Sequence, residues 1–220
     1  MAHGVLVIPL FLHGARANDR IRLVQPFFTG EEGVRRMRKP SFIREFLSHA
    51  GQVGSIIPSS PFLTRKMLPI TIPWYKMRQI AELGPGTGVF TQSIQQQMPA
   101  HSQLYLFEAN GNFREMLARR FPSCYLLEDA LQLGEAVNTS GRPFDLIVSG
   151  LPFANFTETI RNRIFDAIHE SLTPNGIFVA FQYTLLLRPQ FQTHFSMIDI
   201  GYTLLNVPPA WVFKCKKRCV

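Results

Sequence analysis

From residue 79 onward the apolar positions fall into short runs, with amphipathic stretches between them. Gln79–Leu83, Leu104–Glu108, Tyr125–Leu127, Phe144–Ser149 and Ile177–Tyr183 have the length and β-rich composition of buried strands. Between them, Val89–Met98, Phe113–Phe121, Leu131–Val137 and Glu158–Leu172 carry helical spacing, the last closed by Pro174 and Asn175-Gly176. Strand and helix in rotation predict an α/β fold. The expected form is a Rossmann-like, doubly wound, mainly parallel sheet with helices on both faces and right-handed crossovers. Leu204–Val207 and Trp211–Lys214 are expected to close it as a hairpin around Pro208-Pro209.

The first third of the chain reads differently. Phe42, Ile43, Phe46, Leu47 and Ala50 form one apolar stripe behind Ser41, a good N-cap, and Arg35, Arg36, Arg38 and Lys39 precede it. An amphipathic helix behind a basic run suits a membrane interface, and equally a helix packed on its own domain. "GQVGSIIPSSPFL" follows as a Gly/Pro/Ser-rich loop, and Leu68–Tyr75 is a connection broken by Pro69 and Pro73. Before residue 37 no period is sustained, and Val5–Leu12 is too short and too poorly flanked for a signal peptide. "MRKPSFIREFL" reads as a natural beginning. The expected organisation is therefore a leader over 1–36, a basic amphipathic helix with a substrate- or membrane-contacting segment over 37–77, and the main domain over 78–220.

Charge sharpens this division. The 220 residues carry a net +8, and all of it lies in residues 1–80, which hold 12 Lys/Arg and 4 Asp/Glu. A neutral body with a basic leading segment attracts polyanions, either nucleic acid or an anionic membrane surface. With 46% hydrophobic residues the chain can bury a core without disulfides or metal. No apolar run reaches the ~18 residues of a spanning helix. Cys124, Cys215 and Cys219 are too few and too scattered for a disulfide framework or a zinc site, and fit reduced thiols of a cytosolic protein. His49, His101, His169 and His194 have no partner at catalytic spacing and are expected at the surface.

The chemistry is concentrated after the first strand, in Glu82-Leu83-Gly84-Pro85-Gly86-Thr87-Gly88. Glycines between a strand and its helix let the backbone approach a ligand at the carboxyl edge of the sheet. The dinucleotide fingerprint fails, because its third glycine falls on Val89 or Thr91, and no Gly-Lys-Ser/Thr is present for a P-loop. The segment does match E/D-x-G-x-G-x-G at every position. It resembles the first motif of the class I S-adenosylmethionine-dependent methyltransferases. That resemblance implies S-adenosyl-L-methionine as cofactor, with Glu82, Gly84, Gly86 and Gly88 at its methionine end. Glu108, ending the second strand, is then expected on the ribose hydroxyls, and Asp129-Ala130, after the third, at the adenine. Ser149, ending the fourth strand, completes the implied cofactor set.

The acceptor is addressed by Ser149-Gly150-Leu151-Pro152-Phe153. Enzymes that methylate adenine amino groups carry Asn/Asp-Pro-Pro-Tyr or Asn-Leu-Pro-Tyr there. Gly150 takes the Asn position, so the acceptor for the base amino group is gone while a ring survives as Phe153. Taken together, "FIREFL", "VGSIIPSSPFL", "ELGPGTGVFT", "SGLPFANF", "FVAFQYT" and "NVPPAWVF" resemble the soluble class I bacterial phospholipid N-methyltransferases over residues 37–217. The resemblance implies methylation of the amine of phosphatidylethanolamine by a cytoplasmic enzyme held peripherally at the inner face of an anionic membrane. It places Leu151, Pro152, Phe153 and Phe156 on the acceptor. Tyr183, Ser59 and Ser60 are candidates for orienting or deprotonating the amine, with the Ser pair equally able to cap the next helix. Aromatic faces, those of Phe153, Phe156 and Tyr183 with Trp74 and Tyr75 at the mouth, could hold a methylated amine. No metal is expected. Two other readings stay open: an rRNA or DNA adenine N6-methyltransferase that grips phosphates with its basic segment, and a cofactor-binding module without catalysis.

Overall fold

The computed structural model describes residues 60–218. The leader, the helix expected after Ser41, Ser59 and Cys219 lie outside the described residues. Seven strands form one sheet in the order β3-β2-β1-β4-β5-β7-β6. They are β1 Gln79–Leu83, β2 Gln103–Phe107, β3 Tyr125–Leu127, β4 Phe144–Ser149, β5 Leu172–Gln182, β6 Phe195–Thr203 and β7 Ala210–Lys217. β1 to β5 pair in parallel, and β7 runs antiparallel between β5 and β6. The helices are α1 Pro61–Met67, α2 Val89–Gln97, α3 Gly111–Arg120, α4 Leu133–Ser140, α5 Glu158–Ser171 and α6 Arg188–His194. This is the expected doubly wound α/β fold.

Both faces of the sheet are covered, which is why the strands read as continuous apolar runs. Alternate residues point to opposite sides. Ile80, Leu104, Leu146 and Val179 meet Leu63 and Met67 of α1, Phe90 and Ile94 of α2 and Leu117 of α3. Ala81, Phe107, Ile147 and Phe178 meet Leu133 of α4, Phe165 and Ile168 of α5 and Phe191 of α6. The second face is a phenylalanine cluster. Phe178 and Phe191 stack at 5.9 Å, Phe191 and Phe213 at 4.5 Å, and Phe165 lies 4.9 Å from Phe153.

The C-terminal hairpin needs correcting. The partner of β7 is β6, Phe195–Thr203, with Thr203 opposite Ala210, and residues 204–209 are the connecting loop. β6 is an edge strand, half exposed, with Asp199 and Gly201 in its length and a register shift between Met197 and Asp199. An edge strand with one wet face gives little apolar signal, whereas the loop carries Leu204, Leu205 and Val207 and imitates a strand. Thr173–Gly176 is also taken into β5, as an irregularity between the Phe144–Leu172 and Leu146–Ile177 pairs. Trp74 is not at a site mouth: it is buried, with its indole N–H donating to Pro69 O at 3.4 Å. It sits in the short turn Trp74–Lys76 just before β1, at the edge opposite the strand carboxyl ends.

Candidate active site

Leu83 of β1 stands in register with Phe107 of β2 on one side and Ser149 of β4 on the other, and Ser149 with Ala180 of β5. The residues that follow this row rise over the carboxyl edge at β1 and β4, where the strand order reverses and α/β proteins bind ligands. Gly84, Gly86 and Gly88 all have positive φ, at 69°, 54° and 81°. At Gly88 a Cβ would sit 2.5 Å from the Phe121 ring, so the turn presses directly on α3. At Gly86 nothing lies within 4 Å of that position. The middle of the loop is therefore open space with its backbone presented, a cradle for a ligand.

Two carboxylates flank this cradle. Glu82 is fully buried in β1. Its Oε2 accepts a 2.6 Å hydrogen bond from Thr91 Oγ1, and among the described residues its Oε1 has no partner. Burial pushes its pKa up to about 8, against the Thr91 hydrogen bond and with a smaller contribution from Glu108. A buried oxygen left without a donor is costly unless a ligand supplies one. Glu108 follows β2. Its Oε2 accepts from Gly86 N at 3.0 Å and its Oε1 from Asn110 N at 2.8 Å, so it braces the loop it faces. Burial raises its pKa too, opposed by those backbone donors and by Arg114. Arg114 ties the row together by donating to the Glu108 and Ala109 carbonyls at 2.8 Å and to Glu128 at 3.0 Å. Asp129 accepts from Leu131 N at 3.0 Å and caps the short turn Ala130–Gln132 in a capping box with Gln132. Ala130 is buried beneath that turn.

Position 150 explains the missing Asn. A Cβ on Gly150 would lie 2.9 Å from the Gly84 carbonyl oxygen. Any side chain there would displace the glycine loop. Ser149 is buried, and its Oγ accepts from Leu151 N at 3.2 Å, turning the chain behind Gly150. Leu151, Phe153 and Phe156 are all buried, Pro152 partly so, and the faces of Phe153 are taken by Phe165, Phe178 and Phe191. The segment is clamped from two sides that the sequence did not announce. Gln182, buried at the end of β5, donates to Leu151 O at 3.0 Å. Arg161 of α5 donates to the carbonyls of Phe153 and Phe156 and, at 2.8 Å, to Gln190.

Over the end of β5 and the β6–β7 loop, the rim is built around Tyr183 and Asn206. Tyr183 follows β5, 53% exposed, its ring edge-on to Phe181 at 5.6 Å. Its hydroxyl pKa is raised by partial burial, and a hydrogen bond from Asn206 lowers it in part. The raised pKa keeps the hydroxyl protonated at neutral pH. Asn206, buried in the β6–β7 loop, also accepts from Ser60 N at 3.1 Å and donates to Pro208 O at 2.7 Å. Ser60 Oγ accepts from Leu63 N at 3.1 Å, so this hydroxyl caps α1. Asn206 gives no signal in the sequence because one partner, Ser60, lies 146 residues away and another, Tyr183, follows a different strand. His194 is likewise not a free surface histidine: it stands 3.5 Å from Asp166, at the far edge of the sheet. Among the described residues no His/Cys/Asp/Glu cluster could hold a metal.

The doubly wound fold is that of the class I S-adenosylmethionine-dependent methyltransferases, as solved structures show. The chain is similar to the N-methyltransferase NodS of Bradyrhizobium japonicum WM9 in complex with S-adenosyl-L-homocysteine, with TM-score 0.63, 13% identity, and coverage of 80% of this chain and 100% of that one. It is similar to an O-methyltransferase of Bacillus cereus, also bound to S-adenosyl-L-homocysteine, with TM-score 0.60, 15% identity, and coverage of 82% and 93%. In sequence it is 26% identical over 181 residues to the ornithine lipid N-methyltransferase of Singulisphaera acidiphila, covering 80% of this chain and 94% of the relative. No family profile matches the chain. The sequence relative and both solved structures are methyltransferases, and both structures hold S-adenosyl-L-homocysteine.

Proposed function

We propose that the protein is an N-methyltransferase whose acceptor is the primary amine of a membrane lipid, with the phosphatidylethanolamine head group as the substrate. The observation that carries this reading is Gly150. Its missing side chain is a steric requirement of the glycine loop, and the base-binding Asn of adenine methylases has no room. The lipid enzyme among the relatives supports the same class of acceptor. That relative also favours a second acceptor, the amine of an ornithine lipid.

S-adenosylmethionine supplies a methyl group on a sulfonium. The chain's own residues have three tasks. Glu82 and the open loop at Gly86 hold the cationic amino-acid end, Glu108 the ribose and the Asp129-Ala130 turn the adenine. Glu82 Oε1 is the natural partner for an ammonium, since it is buried and otherwise lacks a donor. The rim must then bring a neutral amine in line with the sulfonium. Because an alkylammonium has a pKa near ~10, it must shed a proton as it leaves water. The Tyr183 hydroxyl, held by Asn206, orients the amine through its oxygen, and positioning is the main catalytic demand of such a displacement. Leu151, Pro152, Phe153 and Phe156 shape the floor beneath it.

The test is transfer of labelled methyl from S-adenosylmethionine into vesicles of phosphatidylethanolamine with anionic lipid, beside ornithine lipid vesicles and ribosomal RNA. Label in phosphatidylethanolamine, lost on Glu82→Gln, is expected. Label in ornithine lipid alone would move the acceptor to the second reading, and label in RNA alone would refute both.

A further inference from the structure

The carboxyl rim carries apolar side chains that no part of the described fold covers. β5 ends beside the start of β7, with Gln182 opposite Trp211, and β6 ends beside it too, with Tyr202 opposite Trp211. The segment after β5 and the loop between β6 and β7 therefore leave the sheet side by side, on the edge that holds the cofactor loop. Leu186 is 84% exposed on the first, and Leu204, Leu205 and Val207 are 70%, 61% and 73% exposed on the second. The hydrogen bond from Ser60 N to Asn206 brings the start of α1, with its exposed Phe62, to the same place. Apolar side chains clustered at loop tips and flanked by charge mark an interaction surface.

The surrounding charge has one sign. Residues 60–81 contain Arg65, Lys66, Lys76 and Arg78 and no carboxylate, and residues 183–217 contain a single carboxylate, Asp199, which faces Lys214 across the β6–β7 pair. The Lys66 stem lies over Gly201, two residues before the end of β6, and Arg188 opens α6 just after Leu187. We infer that this rim is a bilayer-docking ledge: Leu186, Leu204, Leu205 and Val207 enter the acyl boundary of an anionic lipid surface while Lys66 and Arg188 lie at the head groups. Apolar insertion combined with basic flanks is how peripheral proteins bind such surfaces. The ledge rests on the lipid reading above and adds to it. It would present the lipid amine to Tyr183 from the membrane side.

The full chain is tested by co-sedimentation with vesicles of phosphatidylcholine and phosphatidylglycerol, neither of which carries a primary amine to methylate. The triple variant Leu186→Ser, Leu204→Ser, Leu205→Ser should bind these vesicles at least tenfold more weakly, with cofactor affinity unchanged as proof of folding. In a second measurement, Leu205→Trp should add emission that brominated acyl chains quench. Undiminished vesicle binding by the triple variant, or no added quenching, overturns the ledge. RNA binding lost in the triple variant, with no vesicle binding by the parent chain, overturns it in favour of a nucleic-acid face. Methylation of phosphatidylethanolamine in detergent micelles separates the two claims. It should survive in the triple variant, and its absence in the parent chain would refute the acceptor reading while leaving vesicle binding to judge the ledge.

Discussion

The two halves of the carboxyl rim are built by opposite means. Over β1 and β2 the site is backbone and buried charge. Three left-handed glycines, a sealed Glu82 and Glu108 hydrogen-bonded to the loop leave little freedom. Over β5, β6 and β7 it is largely exposed side chains on loops, anchored by buried Asn206 and Gln182. In the proposed function the first half holds the cofactor and the second receives the acceptor. The difference predicts a division of effects. Changes in the first half should act on cofactor affinity, and changes in the second on turnover or docking with cofactor affinity intact.

The hardest blow to the cofactor half is Gly88→Ala. Its Cβ would collide with Phe121 at 2.5 Å and force a residue into φ +81°. The cost is about 1–2 kcal/mol from the backbone and about 1–3 kcal/mol from overpacking. A large fall in thermal midpoint and at least a hundredfold loss in calorimetric cofactor affinity are expected. Glu82→Gln should weaken the cofactor by roughly tenfold or more, the scale of a charged hydrogen bond. It also carries a pH signature. Below pH 8 the free protein holds Glu82 protonated, so binding an ammonium beside it releases a proton, and affinity should climb from pH 6 to pH 8. The Gln variant should lack that climb.

On the other half, Tyr183→Phe should lower kcat by about tenfold and leave cofactor affinity unchanged. A matching drop in cofactor affinity would erase the distinction between the halves. The smallest effect, and the finest control, is Gly86→Ala. With nothing within 4 Å of its Cβ, only its φ of 54° resists, at a cost of about 1 kcal/mol. If Gly86→Ala proves as damaging as Gly88→Ala, crowding against α3 is not what fixes the loop.

The same contrast decided what could be read from the sequence. β1, the glycine loop and Glu108 lie within 30 residues of one another, and each announces itself by spacing alone. The doubly wound order followed from strand runs apolar on both faces. The acceptor rim could not be read this way. Asn206 matters because of Ser60 and Tyr183, partners supplied only by the folded chain. β6 went unseen because an edge strand buries one face at most, and the loop after it carries the leucines that a strand would hide. Phe153 announced a stacking ring, yet its neighbours Phe165, Phe178 and Phe191 enclose it in the core. Periodicity shows that a residue is apolar, but burial depends on what crosses over it.

The most direct test of the account is the acceptor specificity of Gly150→Asn beside the parent chain, with labelled S-adenosylmethionine offered to phosphatidylethanolamine vesicles and to ribosomal RNA. Label in lipid is expected for the parent. For the variant, weakened cofactor binding and no gain of RNA methylation are expected, because the new side chain meets the Gly84 carbonyl before it can meet a base. RNA methylation by the parent, or its appearance in the variant with cofactor affinity intact, would contradict the account.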